Sequence, residues 1–185
     1  IVLRRLLQLT PNNADAHYQL GVSVQKQQRL EEAAECYRRS IALKPDFAEA
    51  HSNLGSVLRL QGKPDEAVHE FELALALNPA DPELHFNLGA GVATMADGDR
   101  AAKCFRRAIE LNPNHAESHF NLGVLSLLRG NFASGWPEYE WRWQTSQQQA
   151  RHFSRPSWDG SPLGGRTILI YAEQGLGDTI QFVRY

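Results

Sequence analysis

An amide side chain recurs in this sequence at a constant step of 34 residues: Gln19, Asn53, Asn87 and Asn121. Each offers N–H donors and a carbonyl acceptor together, which is what an extended peptide backbone requires of a sequence-tolerant partner. The row is therefore a candidate ladder for peptide or acceptor binding; the alternative is that each amide bonds a neighbouring helix of its own chain. Two residues before each amide stands a histidine: His17, His51, His85 and His119. Imidazoles that share an ion lie about one helical turn apart, not one repeat apart. These histidines read as half-buried packing positions, and no metal is expected. Near the far end stands Glu173-Gln-Gly-Leu-Gly-Asp178. Gly175 and Gly177 suit a tight loop, but the Gly-Lys-Ser/Thr of a phosphate-binding loop is missing and Ile180 occupies the place of a third glycine. Asp178 would repel phosphate there, and Asp178-Thr-Ile-Gln181 has the spacing of a capping box.

The ladder needs a regular scaffold, and the same step of 34 runs through the rest of the chain. Gly21, Gly55, Gly89 and Gly123 keep it, as do Pro11, Pro45, Pro79 and Pro113. A fixed period of this kind marks stacked repeats, each too small to bury its own apolar face. Counted from Ala14, Ala48, Pro82 and Ala116, a repeat carries Leu-Gly early, an alanine later (Ala33, Ala67, Ala101) and then an aromatic (Tyr37, Phe71, Phe105, Tyr139). Leu54, Gly55 and Leu58 share one helical face, and Ala67, Phe71, Ala74 and Leu75 share a face of the next helix. Asn12, Asp46, Asp81 and Asn114 are expected to cap the first helices, and Pro82 suits a first turn. Gly62 and Gly130 sit where a first helix must end.

This pattern resembles the tetratricopeptide repeat family over residues 1–143. The resemblance implies an all-α fold, a right-handed superhelix of helix-turn-helix units that binds a protein or peptide on its concave face. The expected units are a partial repeat at 1–13, repeats at 14–47, 48–81 and 82–115, and an atypical one at 116–143. In the O-linked N-acetylglucosamine transferase, whose repeats look similar, an asparagine ladder holds the substrate polypeptide.

Composition supports no other class. A net charge of −2 gives no electrostatic reason to expect nucleic acid or an anionic membrane. Arg38-Arg39 and Arg106-Arg107 alternate with acids and read as a solvated outer face. No apolar run approaches membrane-spanning length. Cys36 and Cys104 hold the same repeat position two repeats apart, about 20 Å by helix packing distances, beyond the roughly 7 Å limit for a disulfide. With no sign of an oxidising compartment, a cytoplasmic protein is expected. Residues 1–10 fit the second helix of an earlier repeat, so the chain is expected to be a piece of a longer one.

The repeat at 116–143 departs from pattern with Gly135 and Trp136-Pro-Glu-Tyr-Glu-Trp-Arg-Trp143. Ser134 is expected to cap a helix whose first turn holds Pro137, and the aromatic group reads as a sugar platform or as the end that docks a further domain. Residues 144–166, rich in Gln, Ser, Pro, Gly and Arg, read as a linker. Thr167-Ile-Leu-Ile-Tyr-Ala172 reads as a buried strand and Thr179 onward as a helix start. The run from Trp136 to Tyr185 resembles bacterial tetratricopeptide proteins with a C-terminal glycosyltransferase-like domain related to the heptosyltransferases. That resemblance implies that residues 167–185 begin an α/β domain of GT-B type, that Asp178 takes the acceptor hydroxyl's proton, and that the longer protein uses a nucleotide sugar. These residues alone hold no donor lobe, and no activity or cofactor is expected of them. Two classes of function thus stand: a binding module without enzymatic part, and the scaffold of a glycosyltransferase.

Overall fold

The computed structural model describes residues 2–145, and every regular element among them is a helix. Helix α1 (Val2–Leu9) precedes four pairs: α2 (Ala14–Gln25) with α3 (Leu30–Leu43), α4 (Ala48–Leu60) with α5 (Pro64–Leu77), α6 (Pro82–Ala93) with α7 (Gly98–Leu111), and α8 (Ala116–Leu128) with α9 (Phe132–Tyr139). A 3-10 turn over Glu140–Gln144 follows α9. Each first helix packs on its own second helix, and each second helix on the next first helix, as in a solenoid. The four first helices open at the residues from which the repeat was counted. The expected strand at 167–172, the helix after it, Gly175, Gly177 and Asp178 lie outside the described residues, as does the linker beyond Thr145.

Close approach within a pair rests on the missing side chain of one residue. A Cβ placed on Gly21, Gly55 or Gly89 would stand 2.7 Å from a ring carbon of Tyr37, Phe71 or Phe105, nearer than carbon atoms can pack. The three rings are at most 1% exposed, and Ala33, Ala67 and Ala101 are fully buried beside them. Burying a ring of this size contributes about 1.5–3 kcal/mol. One turn past the ring, Ser40, Ala74 and Ala108 are also fully buried. Small residues before and after the ring thus let the second helix lie flat. The Tyr37 hydroxyl donates to Gln25 Oε1 at 2.6 Å, and burial pushes its phenol well above the ordinary value, so it stays a neutral donor.

Three of the four expected caps of the first helices are off by one residue. Asp81 does cap α6, accepting from Glu83 N at 2.9 Å. Asn13, not Asn12, caps α2 through Ala16 N, while Asn12 accepts from Arg39. His115, not Asn114, caps α8 through Ser118 N, and the N-cap of α4 is Phe47, with no side-chain bond. The reason is local: Asn114 N is engaged by Asn112 Oδ1 at 3.1 Å, and Phe47 is drawn into the core beside Tyr18. After each first helix the chain crosses the left-handed region at one repeat position, with φ of 60° at Gln28, 74° at Gly62, 60° at Ala96 and 77° at Gly130. Glycine fills it in two repeats; Gln28 and Ala96 adopt it at a cost of about 1–2 kcal/mol.

Candidate functional site

Along the first helices of adjacent repeats, α4 and α6 leave a groove of about 310 Å³. Asn53 and Asn87 line it together, with Tyr18, Ser52, Glu49 and Glu83 among the residues around them. Their position follows from the fold. Leu54, Gly55 and Leu58 turn one face of α4 inward, so a residue just before that stripe faces the side away from α5.

Both amides are half committed. Asn53 Nδ2 donates to Tyr18 Oη at 3.1 Å, and Asn87 Nδ2 donates to Ser52 Oγ at 3.3 Å. Each bond reaches back one repeat, so the ladder also staples neighbouring first helices. Both side chains remain partly exposed, and Asn53 also hydrogen-bonds Tyr37; the carbonyl oxygen of each amide and the second N–H of Asn87 are left for a ligand. Gln19 is exposed one repeat earlier and does not line this groove. Asn121, one repeat later, donates to Glu117 O of its own helix at 2.7 Å. Of the four ladder residues, the structure therefore brings two to one groove.

The histidines do a job that their type did not announce. Nε2 of His17, His51, His85 and His119 lies 2.9, 3.1, 3.0 and 3.0 Å from the carbonyl oxygen of Pro11, Pro45, Pro79 and Pro113. Each ring donates there and ties the first helix to the turn before it. The constant Pro-to-His spacing of six residues was the signal in the sequence. His51 Nδ1 also meets Glu70 Oε2 at 2.6 Å and His119 Nδ1 meets Glu138 Oε2 at 2.5 Å, which needs a second proton on the ring or on the carboxyl. In the repeats of His17 and His85, the glutamate's place is taken by Cys36 and Cys104. Burial pushes the Cys104 thiol up, away from the reactive thiolate. Among the described residues no group of three metal-ligating side chains converges.

At the other end, the aromatic run packs on its own repeat. The Trp141 ring stacks on His119 at 4.1 Å and 7°, and Trp136 meets Tyr139 edge-on at 5.8 Å. Helix α9 begins at Phe132 after Asn131, so Pro137 lies inside it and Ser134 is not its cap. Ser134 Oγ instead donates back to Asn131 O. Phe132 and Trp136 are more than half exposed, beside Leu128 at 79%. No helix among the described residues is long and apolar enough to cross a membrane.

A family model described as tetratricopeptide repeat matches residues 2–42 and 18–83, and another of that description matches residues 104–135. Protein FlbA of Caulobacter vibrioides is 36% identical over 61 residues, 32% of this chain and 10% of its own length. The chain thus spans about a tenth of that relative. The crystal structure of MamA has a TM-score of 0.71 at 20% identity, over 77% of this chain and 83% of its own; that likeness is one of fold alone. The first TPR of Spaghetti (RPAP3), bound to the HSP90 peptide SRMEEVD, has a TM-score of 0.62 at 26% identity, over 63% of this chain and 93% of its own.

Proposed function

Because the chain belongs to the tetratricopeptide repeat family, we propose that it is a protein-binding scaffold whose groove along α4 and α6 holds an extended segment of a partner. The observation that carries this is the pairing of Asn53 and Asn87 in one groove, each with its carbonyl acceptor left over. Their spacing by one repeat lets two amides engage the backbone of one peptide, and the stapling bonds fix both side chains before a ligand arrives, which lowers the entropy lost on binding. A related repeat domain that carries a peptide, that of Spaghetti, supports the same use of the fold.

Panning a random dodecapeptide library on the full chain tests this. Enriched peptides should lose about tenfold or more in affinity on joint Asn53→Ala and Asn87→Ala substitution, with helicity retained. Tyr18→Phe removes the stapling partner of Asn53 and keeps its amide, so binding should persist. A peptide indifferent to the double substitution, or no enriched peptide at all, would refute the groove.

A finer reading rests on the sequence run from Trp136 to Tyr185. On it, a longer cytoplasmic protein has the repeats present an acceptor to a GT-B-type site, with Asp178 as base beside Gly175 and Gly177 and a nucleotide sugar as donor. A repeat module with no enzymatic part accounts for the described residues equally well. Nucleotide-sugar turnover by the native gene product, abolished in Asp178→Ala, would support the transferase; turnover equal in both would remove Asp178 from that role.

A further inference from the structure

Several acids on the second helices have a cation partner, and the acids of the groove have no lysine or arginine partner. On the second helices, Glu32 is matched by Arg29, Glu66 by Lys63 and Arg38, Glu72 by Arg100, and Asp99 by Arg129. In the groove, Glu49, Asp81 and Glu83 line the wall with no lysine or arginine among the lining residues. Nor does any lysine or arginine pair with these three among the described residues. Asp81 spends one oxygen on the α6 cap. Glu83 Oε2 receives His115 Nε2 at 2.9 Å, but His115 Nδ1 accepts from Ser118 N at 3.2 Å. The ring is therefore a neutral donor on its Nε2 side, and Glu83 keeps its charge. Favourable placement beside a helix N-terminus accounts for an acid in a first turn. It does not account for the missing cations, since Glu32, Glu66 and Asp99 stand in first turns of second helices and are paired.

From this unbalanced charge we propose that the groove selects a basic peptide, with an arginine or lysine of the bound segment lying between Glu49 and Glu83 while Asn53 and Asn87 hold its backbone. The proposal rests on the groove being the peptide site and adds the chemistry of its occupant. A cation there completes pairs that the chain leaves open, and an acidic peptide would meet three carboxylates.

The probes are a fluorescent alanine-serine dodecapeptide carrying spaced arginines and its twin with glutamates in their places, titrated against the full chain at low and physiological salt. The arginine peptide should bind at least about tenfold more tightly. Its affinity should fall about fivefold in Glu49→Gln and in Glu83→Gln. Glu31→Gln, an exposed acid on α3, should leave it unchanged. Equal affinities for the twins, or a loss in Glu31→Gln as large as in Glu49→Gln, would overturn the proposal. If library peptides still require Asn53 and Asn87 but are not basic, the charge preference falls and the groove survives. If no peptide of either kind needs the amides, both fall.

Discussion

The repeats at 82–115 and 116–143 share the glycine and the aromatic, yet their second helices end differently. In the former, Phe105 is 1% exposed, Ala108 is fully buried one turn later, and α7 runs on to Leu111. In the latter, Tyr139 is only partly buried, Arg142 stands in the place of Ala108, and α9 stops at Tyr139 to become a 3-10 turn. A guanidinium does not fit a site shaped for a methyl group. Arg142 is instead held by Glu140 at 2.6 Å and by the rings of Tyr139 and Trp143 at 4.8 and 4.4 Å. Pro137 removes a backbone donor from the same helix. Gly135 compensates for a tighter approach, since a Cβ there would lie 2.7 Å from Leu127 Cδ2. The glycine and the aromatic bring two helices together; the small residue one turn later decides whether the second continues.

The largest expected effect is on that ring. Phe105→Ala should cost about 3–5 kcal/mol by the cavity it leaves, and Tyr139→Ala less than half as much, read from urea midpoints of the two variants. Equal losses would erase the contrast between the repeats. Gly89→Leu should cost about 1–3 kcal/mol by driving a side chain into Phe105; unchanged denaturant stability would contradict the pairing of α6 with α7. Next come the two kinds of histidine. His51→Ala breaks bonds to Pro45 and Glu70 and should cost about 1–3 kcal/mol, whereas His85→Ala breaks the bond to Pro79 and should cost clearly less. Thermal unfolding of the pair decides this. The smallest effect is a gain: Ala96→Gly relieves a left-handed alanine and should stabilise by about 0.5–1 kcal/mol, and a lower melting temperature would contradict it.

Much of this was legible because period and packing are the same fact in a repeat protein. The step of 34 located all four first helices to the residue, and the Gly–aromatic pair located the core contacts. The helix caps were less legible. Asn12 and Asn13 are adjacent and chemically equal, and only the reach of Arg39 to Asn12 separates them. The start of α9 was misplaced because Ser134 and Pro137 make a good local start signal, which the turn at Gly130 and Asn131 overrides. At the site, type and spacing gave Asn53 and Asn87 but not their bonds to Tyr18 and Ser52, since residues at that position vary between repeats. The uncompensated charge of Glu49 and Glu83 was hidden as well, because it depends on where the nearest cations point.

The most direct test of the account uses the side-chain amide signals of Asn53 and Asn87 in a nitrogen-proton correlation spectrum, followed while the best library peptide is added. The account predicts that these two signals move together and saturate with the binding curve, while the indole signals of Trp136 and Trp141 stay in place. Movement confined to the tryptophans would put the binding surface at the irregular end of the solenoid and contradict the groove.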